Sequence, residues 1–254
     1  MTVRYLPGGE PFVLGDGGPG VLAMHGFTGS PFEVRAISEL LHERGFGVYA
    51  PALAGHATAE ADLDSTTAED YLRAAGQAYE EASWRFERVY VLGLSMGGTL
   101  ALHLAATRQF YGIVTISAPV FLYPMVGMSV PVIEQWMPKV RMPANFAAWQ
   151  GNVVGYKSMT IAAAKVVVEV LDRVRTDLHR VTAPLLVIQS TRDLTVPVAS
   201  AQTIYDGASS AEKRLDLVDA GSHLMTIEPH LSLIAENVAA FLSGIESKGR
   251  PAGR

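Results

Sequence analysis

The chain has 254 residues and is 49% hydrophobic, which is enough to bury one large core in a single domain with an insertion. Its formal net charge of −5 argues against a nucleic-acid partner, because such a partner requires clustered lysine and arginine. It contains no cysteine, which excludes disulfides, thiolate catalysis and cysteine-ligated metal sites.

Short apolar runs predict strands at intervals along the chain. In chain order they are 12–14, 21–24, 46–50, 88–92, 112–117, 184–189 and 213–218, the last of which alternates like an edge strand. Segments of helical spacing lie between these runs. The alternation predicts an α/β fold, in which a mainly parallel, doubly wound sheet has helices on both faces.

Capping signals mark the helix starts. The segment Ser30–Glu33 predicts a capping box at the start of a helix that stops at Gly45, and a second box within 66–70 predicts a helix to about Arg85. Later helices are expected over about 98–106, from Ser158 or Thr160 to about Arg180, and from Pro229, with a disordered tail from Ser243 to Arg254.

The motif Gly93-Leu94-Ser95-Met96-Gly97 lies between a predicted strand and a helix-forming segment. Strand, G-x-S-x-G and helix in this order predict a nucleophile elbow, a turn so sharp that side chains at both glycines would collide with neighbouring backbone. The turn lifts the serine hydroxyl above the sheet edge and points the N-terminal dipole of the helix at it.

From Gln109 to Ile133 no residue is charged, and the segment is long enough to cross a bilayer. Prolines interrupt it, and its first part is the strand predicted at 112–117, so we expect no integral membrane segment. The amino-terminal residues have no continuous apolar stretch typical of a secretory signal. We therefore expect a cytoplasmic protein.

Between about Val120 and Arg180 the chain is longer than one crossover helix requires. This segment supplies more apolar side chains than one helix can bury, among them Met125, Met128, Trp136, Met137, Met142, Trp149 and Met159. We expect residues 120–180 to form a cap over the elbow, inserted into a core made of residues 1–119 and 181–254.

A serine hydroxyl is a poor nucleophile at neutral pH, so it needs a base and an acid that orients the base. Loops that follow parallel strands converge above the sheet. Asp193 follows the strand at 184–189, and His223 follows the strand at 213–218. Ser95, Asp193 and His223 are therefore the predicted catalytic triad, in the chain order serine, aspartate, histidine.

Other residues compete for two of these roles. Asp216 and Asp219 are alternative acids, but they share a strand and loop with His223, whereas a separate loop more naturally places a carboxylate behind the imidazole. His25 is a rival base, which we interpret as structural because its loop shapes the oxyanion hole. His56 is interpreted as a loop-packing histidine.

The N–H of Met96, directly after the nucleophile, is one predicted oxyanion-hole donor. The second is expected from the loop His25-Gly26-Phe27-Thr28-Gly29, with the Phe27 N–H as donor and His25 and Gly26 as supporting residues. The sequence has no metal-binding spacing of histidines and no glycine-rich nucleotide motif, so we expect no metal and no cofactor.

These segments resemble the α/β-hydrolase superfamily, and within it the small bacterial carboxylesterases and monoacylglycerol lipases, over nearly the whole chain. The resemblance is carried by 25–29, 93–98, Asp193 with Val196-Pro197, and 221–223. It implies the triad and oxyanion donors named above, and a small cap inserted after the strand that ends near Ser117. Many relatives have Gly-His-Gly where this chain has Gly55-His56-Ala57, which leaves the conformation of that loop open.

The expected function is hydrolysis of carboxylic esters with short- or medium-chain acyl groups, with monoacylglycerols as the expected substrates. A thioesterase, an amidase or a carbon–carbon bond hydrolase with the same triad stays open, as does a noncatalytic ligand-binding protein of the same fold. The expected partner is a small-molecule or lipid ester.

Overall fold

The computed structural model describes residues 3–123, 139–141, 153–220, 223–227 and 229–248. Its strands are β1 (Phe12–Leu14), β2 (Pro19–Met24), β3 (Gly47–Ala50), β4 (Arg88–Leu94), β5 (Ile113–Ile116), β6 (Lys139–Arg141), β7 (Ser158–Thr160), β8 (Leu185–Ser190) and β9 (Lys213–Val218). Its helices are α1 (Phe32–His42), α2 (Glu60–Asp64), α3 (Ala68–Arg85), α4 (Met96–Thr107), α5 (Ile161–Asp177), α6 (Ala199–Gly207) and α7 (Leu231–Ser247), with a 3₁₀ turn at Leu178–Arg180.

Seven strands form one sheet in the order β1-β3-β2-β4-β5-β8-β9. Only β1 pairs antiparallel, with β3, while the other six strands run parallel. The carboxyl ends of β2, β4, β5, β8 and β9 therefore meet at one edge of the sheet, as the doubly wound prediction requires. This α/β-hydrolase arrangement confirms the predicted fold class.

Both faces of the sheet are covered because its central strands are apolar on both sides. In β4, Val91 faces a core built with α3, α4, α5 and α6, whereas Leu92 faces a core built with α1 and α7. Both side chains are fully buried, which stabilises the fold by about 2 kcal/mol each. The sheet is thereby held as a rigid platform for the loops at its carboxyl edge.

Most predicted elements are present, and several bounds differ. Helix α2 and the antiparallel pair β6–β7 were not predicted. The expectation of a disordered tail from Ser243 is wrong for residues 243–247, because α7 includes them and Ile245 packs in the core. Residues 249–254 lie outside the described part of the chain.

The predicted capping box at Ser30 is wrong. Pro31 occupies the N-cap of α1, and no side chain there caps the helix. The Ser30 hydroxyl instead donates to the carbonyl of Val154 (2.6 Å), and the Glu33 carboxylate accepts the N–H of Gly26 (2.8 Å). The second box is confirmed, since Thr67 and Asp70 cap α3 reciprocally.

The insertion follows β5. The residue directly before residues 120–180 is anchored within the core, because the Thr99 hydroxyl donates to the carbonyl of Pro119 (2.6 Å). The methionines and tryptophans used to predict the cap lie outside the described residues, except Met159, which packs near Leu63. Among the residues that the structure describes, no helix is both long and apolar enough to cross a bilayer. The cytoplasmic location stays a prediction.

Candidate active site

Ser95 lies in the sharp turn between β4 and α4. Its backbone has φ 52° and ψ −122°, a region that costs energy for a residue with a side chain. The flanking glycines are required by close approach of backbone: a Cβ on Gly93 would lie 2.2 Å from the carbonyl oxygen of Gly97, and a Cβ on Gly97 would lie 2.2 Å from that of Met24. The turn therefore has the geometry of a nucleophile elbow.

Backbone hydrogen bonds hold Ser95 in this conformation. Its N–H donates to the carbonyl of Ile116 at the end of β5 (2.8 Å), and its carbonyl accepts the N–H groups of Gly98 (2.8 Å) and Thr99 (3.2 Å). The residue is partly exposed, whereas its neighbours on both sides are buried. The serine hydroxyl is thus presented at the carboxyl edge of the sheet from a backbone that cannot relax easily.

The structure brings two of the three predicted triad residues into direct contact. Nδ1 of His223 lies 2.7 Å from Oδ2 of Asp193, and both side chains are almost completely buried. Since a carboxylate only accepts, Nδ1 carries the proton, and Nε2 is the ring nitrogen that can act as a base.

Asp193 is held as a carboxylate by its surroundings. Burial by itself raises the pKa of Asp193, but the hydrogen bond and charge of His223 and the N–H groups of Val196 (2.9 Å) and Thr195 (2.7 Å) outweigh burial, and the pKa is lowered. Gln189 also donates to the carboxylate (3.0 Å). This network orients the acid toward the imidazole.

The two competing carboxylates point elsewhere. Asp216 pairs with Arg214 (2.7 Å), and the exposed Asp219 pairs with Arg192 (2.9 Å). Of the three candidate acids, Asp193 is the one in contact with His223.

The loop that carries His223 is tied to the same sheet edge as Ser95. The Ser117 hydroxyl donates to the carbonyl of His223 (2.9 Å), and Ser117 directly follows Ile116, whose carbonyl holds the Ser95 N–H. Gly221 and Ser222, which belong to the predicted base segment, lie outside the described residues.

The loop after β2 packs directly against the elbow. A Cβ on Gly26 would lie 3.4 Å from Cβ of Ser95, so glycine allows the loop backbone to approach the serine closely. Among the hydrogen bonds of the described residues, none uses the N–H of Phe27 or of Met96. Two backbone donors, one in this loop and one directly after the serine, are thereby left available.

His25 and His56 brace this loop as neutral rings. The Leu53 N–H donates to Nε2 of His25 (3.0 Å), and the Thr28 N–H donates to Nε2 of His56 (2.9 Å). Because each Nε2 accepts, each ring carries its proton on Nδ1, which faces the carbonyl of Gly26 or of Ala54 (2.8 Å each). Both nitrogens of each ring are thus occupied by backbone contacts that stabilise the loop.

Burial sets the protonation of both rings. It lowers the pKa of His56 to about 4, and, with repulsion from His56, lowers the pKa of His25 well below its usual value. The contacts support the structural interpretation of His25 and the loop-packing interpretation of His56.

The structure gives the conformation of the Gly55-His56-Ala57 segment, which the sequence left open. Ala57 has φ 58°, in the left-handed region that favours glycine, and is fully buried. Its carbonyl accepts the Leu6 N–H (2.6 Å), which holds the turn in place. The backbone therefore adopts a glycine-like conformation here although the residue is alanine.

Sequence reasoning missed two contributors to the site. Glu33 is buried beside the loop 25–29, and the only sequence signal, its spacing from Ser30, indicated a helix cap instead. Tyr156, near the carboxyl end of the insertion, joins two core loops: its N–H donates to the carbonyl of Thr28 (2.7 Å), and its hydroxyl donates to that of Gly55 (3.0 Å). No local pattern around Tyr156 signals these contacts.

A doubly wound sheet with a serine elbow at its carboxyl edge, a buried His–Asp pair and two available amides defines the α/β-hydrolase class of protein. Within that class, the chain belongs to the family described as "Serine aminopeptidase, S33" (Hydrolase_4), whose model matches residues 19–230.

Similar proteins carry esterase and lipase names. The chain is 30% identical over 249 residues to a protein named "Thermostable monoacylglycerol lipase" from Bacillus sp. (strain H-257), covering 96% of this chain and 98% of that protein. It is 26% identical over 246 residues to a "Carboxylesterase" from Bacillus subtilis (strain 168), covering 93% and 97%.

A solved structure from work on LipS and LipT, "two metagenome-derived lipolytic enzymes", superposes with a TM-score of 0.86 at 29% identity, covering 95% of this chain and 100% of that chain. A monoacylglycerol lipase from Paleococcus ferrophilus shares the fold, with a TM-score of 0.75 at 19% identity over 92% of this chain and 98% of that chain. The chain is a serine hydrolase of the esterase and lipase type.

Proposed function

We propose that the protein hydrolyses carboxylic esters through Ser95, His223 and Asp193, with the N–H groups of Phe27 and Met96 as the oxyanion hole. The observation that carries the proposal is the 2.7 Å contact of His223 Nδ1 with Asp193, made at the sheet edge where Ser95 is presented. It supports a base whose orientation and proton position are set before substrate arrives.

In the first half of the reaction, Nε2 of His223 takes the proton of the Ser95 hydroxyl as its oxygen attacks the ester carbonyl carbon. The carbonyl electron pair moves to oxygen, where the two N–H groups stabilise it. His223 then gives the proton to the leaving alcohol as the ester bond breaks and the acyl-enzyme forms. In the second half, His223 takes a proton from water as the water oxygen attacks the acyl-enzyme carbonyl carbon. The proton then passes to Ser95 as its bond to the acyl group breaks, and the carboxylic acid is released.

The test of the proposal is Ser95→Ala. We expect kcat for a nitrophenyl ester to fall by more than about 10⁴-fold with the folded state intact, since only the nucleophile is lost. Ser243→Ala, which removes an exposed serine on α7, is the matched control and should leave kcat unchanged. A fluorophosphonate should label the wild-type protein at Ser95, as located by peptide mass analysis.

Undiminished turnover by Ser95→Ala, or an adduct on another serine, would remove this mechanism. Because the family model is described as a serine aminopeptidase, an aminoacyl nitroanilide belongs in the same assay. If that amide were cleaved faster than the esters, the proposed ester specificity would be wrong, and the protein would be an aminopeptidase.

For the substrate, we propose monoacylglycerols with short- or medium-chain acyl groups, and we propose residues 120–180 as the cap that covers them. Support comes from the lipase names of the relatives and from the methionine and tryptophan content of the insertion, since such side chains adapt to varied apolar shapes and supply contact area.

An acyl-length series tests the substrate class. If the cap encloses the acyl chain, kcat/KM should rise from acetate through butyrate to octanoate by up to about fourfold for each buried methylene, and fall at palmitate. Monoacylglycerols should be cleaved faster than the triacylglycerols of the same acid. A preference for acetate alone would argue against an enclosed acyl chain.

A further inference from the structure

Glu33 is a buried carboxylate that the catalytic scheme above does not use. It lies at the start of α1 with 3% of its surface exposed, and its Oε2 accepts the N–H of Gly26 at 2.8 Å. A Cβ on Gly29 would lie 2.3 Å from the carboxyl group, so the oxyanion loop is folded tightly around this side chain. A charged group in such a place is costly unless it is hydrogen-bonded.

The contact made by Glu33 bears directly on the proposed oxyanion donor. Gly26 is the residue before Phe27, and it is also the loop residue that packs against Ser95. The carboxylate therefore anchors the peptide unit that precedes the Phe27 N–H. The backbone of Glu33 is held by the segment after β9, because the Thr226 hydroxyl donates to the carbonyl of Glu33 (2.7 Å).

We propose that Glu33 is a positioning residue for the proposed ester hydrolysis: its ionised carboxylate holds Gly26 so that the Phe27 N–H points at the developing oxyanion. An ionised acceptor binds an N–H about twice as strongly as a neutral acceptor. The hold on the loop is consequently strongest when Glu33 is charged.

The surroundings of Glu33 place its ionisation near neutral pH. Burial raises the pKa of Glu33 to about 7, against the opposing effects of the Gly26 N–H and of His223. His223, from the loop after β9, is the titratable group that acts on Glu33, and Asp193 lies behind it. His25, in the loop itself, is neutral because burial lowers its pKa, to which repulsion from His56 adds.

Three variants separate positioning from a merely structural role. Glu33→Ala removes the anchor and should lower kcat by about 10²- to 10³-fold, as loss of an oxyanion donor does, with KM changed by less than about threefold. Ser38→Ala removes a different buried polar group from α1, a hydroxyl whose hydrogen bond among the described residues is to the carbonyl of Val34 in the same helix, and should leave both constants unchanged. Circular dichroism checks that each variant is folded.

Glu33→Gln keeps the shape and an acceptor oxygen without the charge, and it decides the proposal even if the alanine variant does not fold. The ratio of wild-type kcat to that of Glu33→Gln should be about tenfold at pH 8.5, where Glu33 is ionised, and approach one at pH 5.5, where it is neutral. A ratio that does not change with pH, or an alanine variant with wild-type kcat, would overturn the role of Glu33.

The proposal rests on the proposed function, and the two can fail separately. If the wild-type protein hydrolyses no ester, ester hydrolysis is wrong, and the rate at which a fluorophosphonate labels Ser95 then reports on Glu33. That rate should be at least about tenfold lower in Glu33→Ala, because phosphonylation also places negative charge in the oxyanion hole. Equal labelling rates would overturn the role of Glu33 independently of turnover.

Discussion

The strained backbone at Ser95 is enforced by its neighbours rather than by the serine. With φ 52°, Ser95 depends on close backbone approach at Gly93 and Gly97, and a Cβ at either position would meet a carbonyl oxygen at 2.2 Å. Neither contact can be relieved by rotating a side chain, because both involve main-chain atoms. The sequence pattern predicted this turn because glycine is the residue that fits there.

Gly97→Ala tests that reasoning. The added methyl would meet the carbonyl oxygens of Met24 and His25, so we expect destabilisation by at least about 3 kcal/mol and displacement of the loop 25–29. Urea unfolding and ester hydrolysis measure the two effects.

The matched control is Gly76→Ala in α3, where a Cβ would meet nothing within 4 Å. That change should stabilise the protein by about 0.5–1 kcal/mol, because alanine is the better helix former. Equal stability of the two alanine variants would contradict the steric account of the elbow.

Two capping boxes with the same signature had different outcomes. At the start of α3, Thr67 is exposed and Asp70 is partly exposed, and the two residues bond to one another. At the start of α1, the Ser30 hydroxyl instead bonds to Val154, which is distant in the chain. The Glu33 carboxylate bonds to Gly26, which belongs to the loop before the helix. A local signal is reliable only where no tertiary partner competes for the same atoms.

The elements that were missed depend on such partners. Helix α2 is short and follows a loop, and its Glu60 and Asp64 accept hydrogen bonds from Ser158 and Thr160 of β7 (2.8 Å each). Strand β7 in turn pairs with β6. Each element is too short to be stable alone, so its sequence carries little signal of its own.

At the scale of the molecule, buried titratable groups couple stability to pH, and His25, His56 and Glu33 are those that act between pH 7 and pH 4.5 among the groups described above. His25 and His56 are neutral in the fold and protonate more readily when unfolded, so the free energy of unfolding falls as pH drops below about 6.5. His56 alone contributes a loss on the order of 3 kcal/mol by pH 4. Glu33 acts in the opposite direction, because its pKa is raised to about 7 and the fold favours its protonated form.

Because the histidines and Glu33 change the free energy of unfolding in opposite directions as pH falls, comparing the wild type with Glu33→Gln tests the contribution of Glu33. Between pH 7 and pH 4.5, protonation of Glu33 in the fold offsets part of the loss caused by the histidines. The free energy of unfolding of Glu33→Gln should therefore decline more steeply with acidification than that of the wild type, as measured by urea unfolding at each pH. Parallel pH dependences of the two proteins would contradict the raised pKa of Glu33.

The sequence by itself determined the strand order along the chain, the elbow, and the candidates Ser95, Asp193 and His223, because each lies in a short segment whose residue types are dictated by local geometry. The tertiary structure decided which carboxylate meets the imidazole: Asp193 contacts His223, whereas Asp216 and Asp219 turn to arginines. It alone revealed that Glu33 anchors Gly26, since a hydrogen bond between a helix and a preceding loop depends on how the chain folds back on itself.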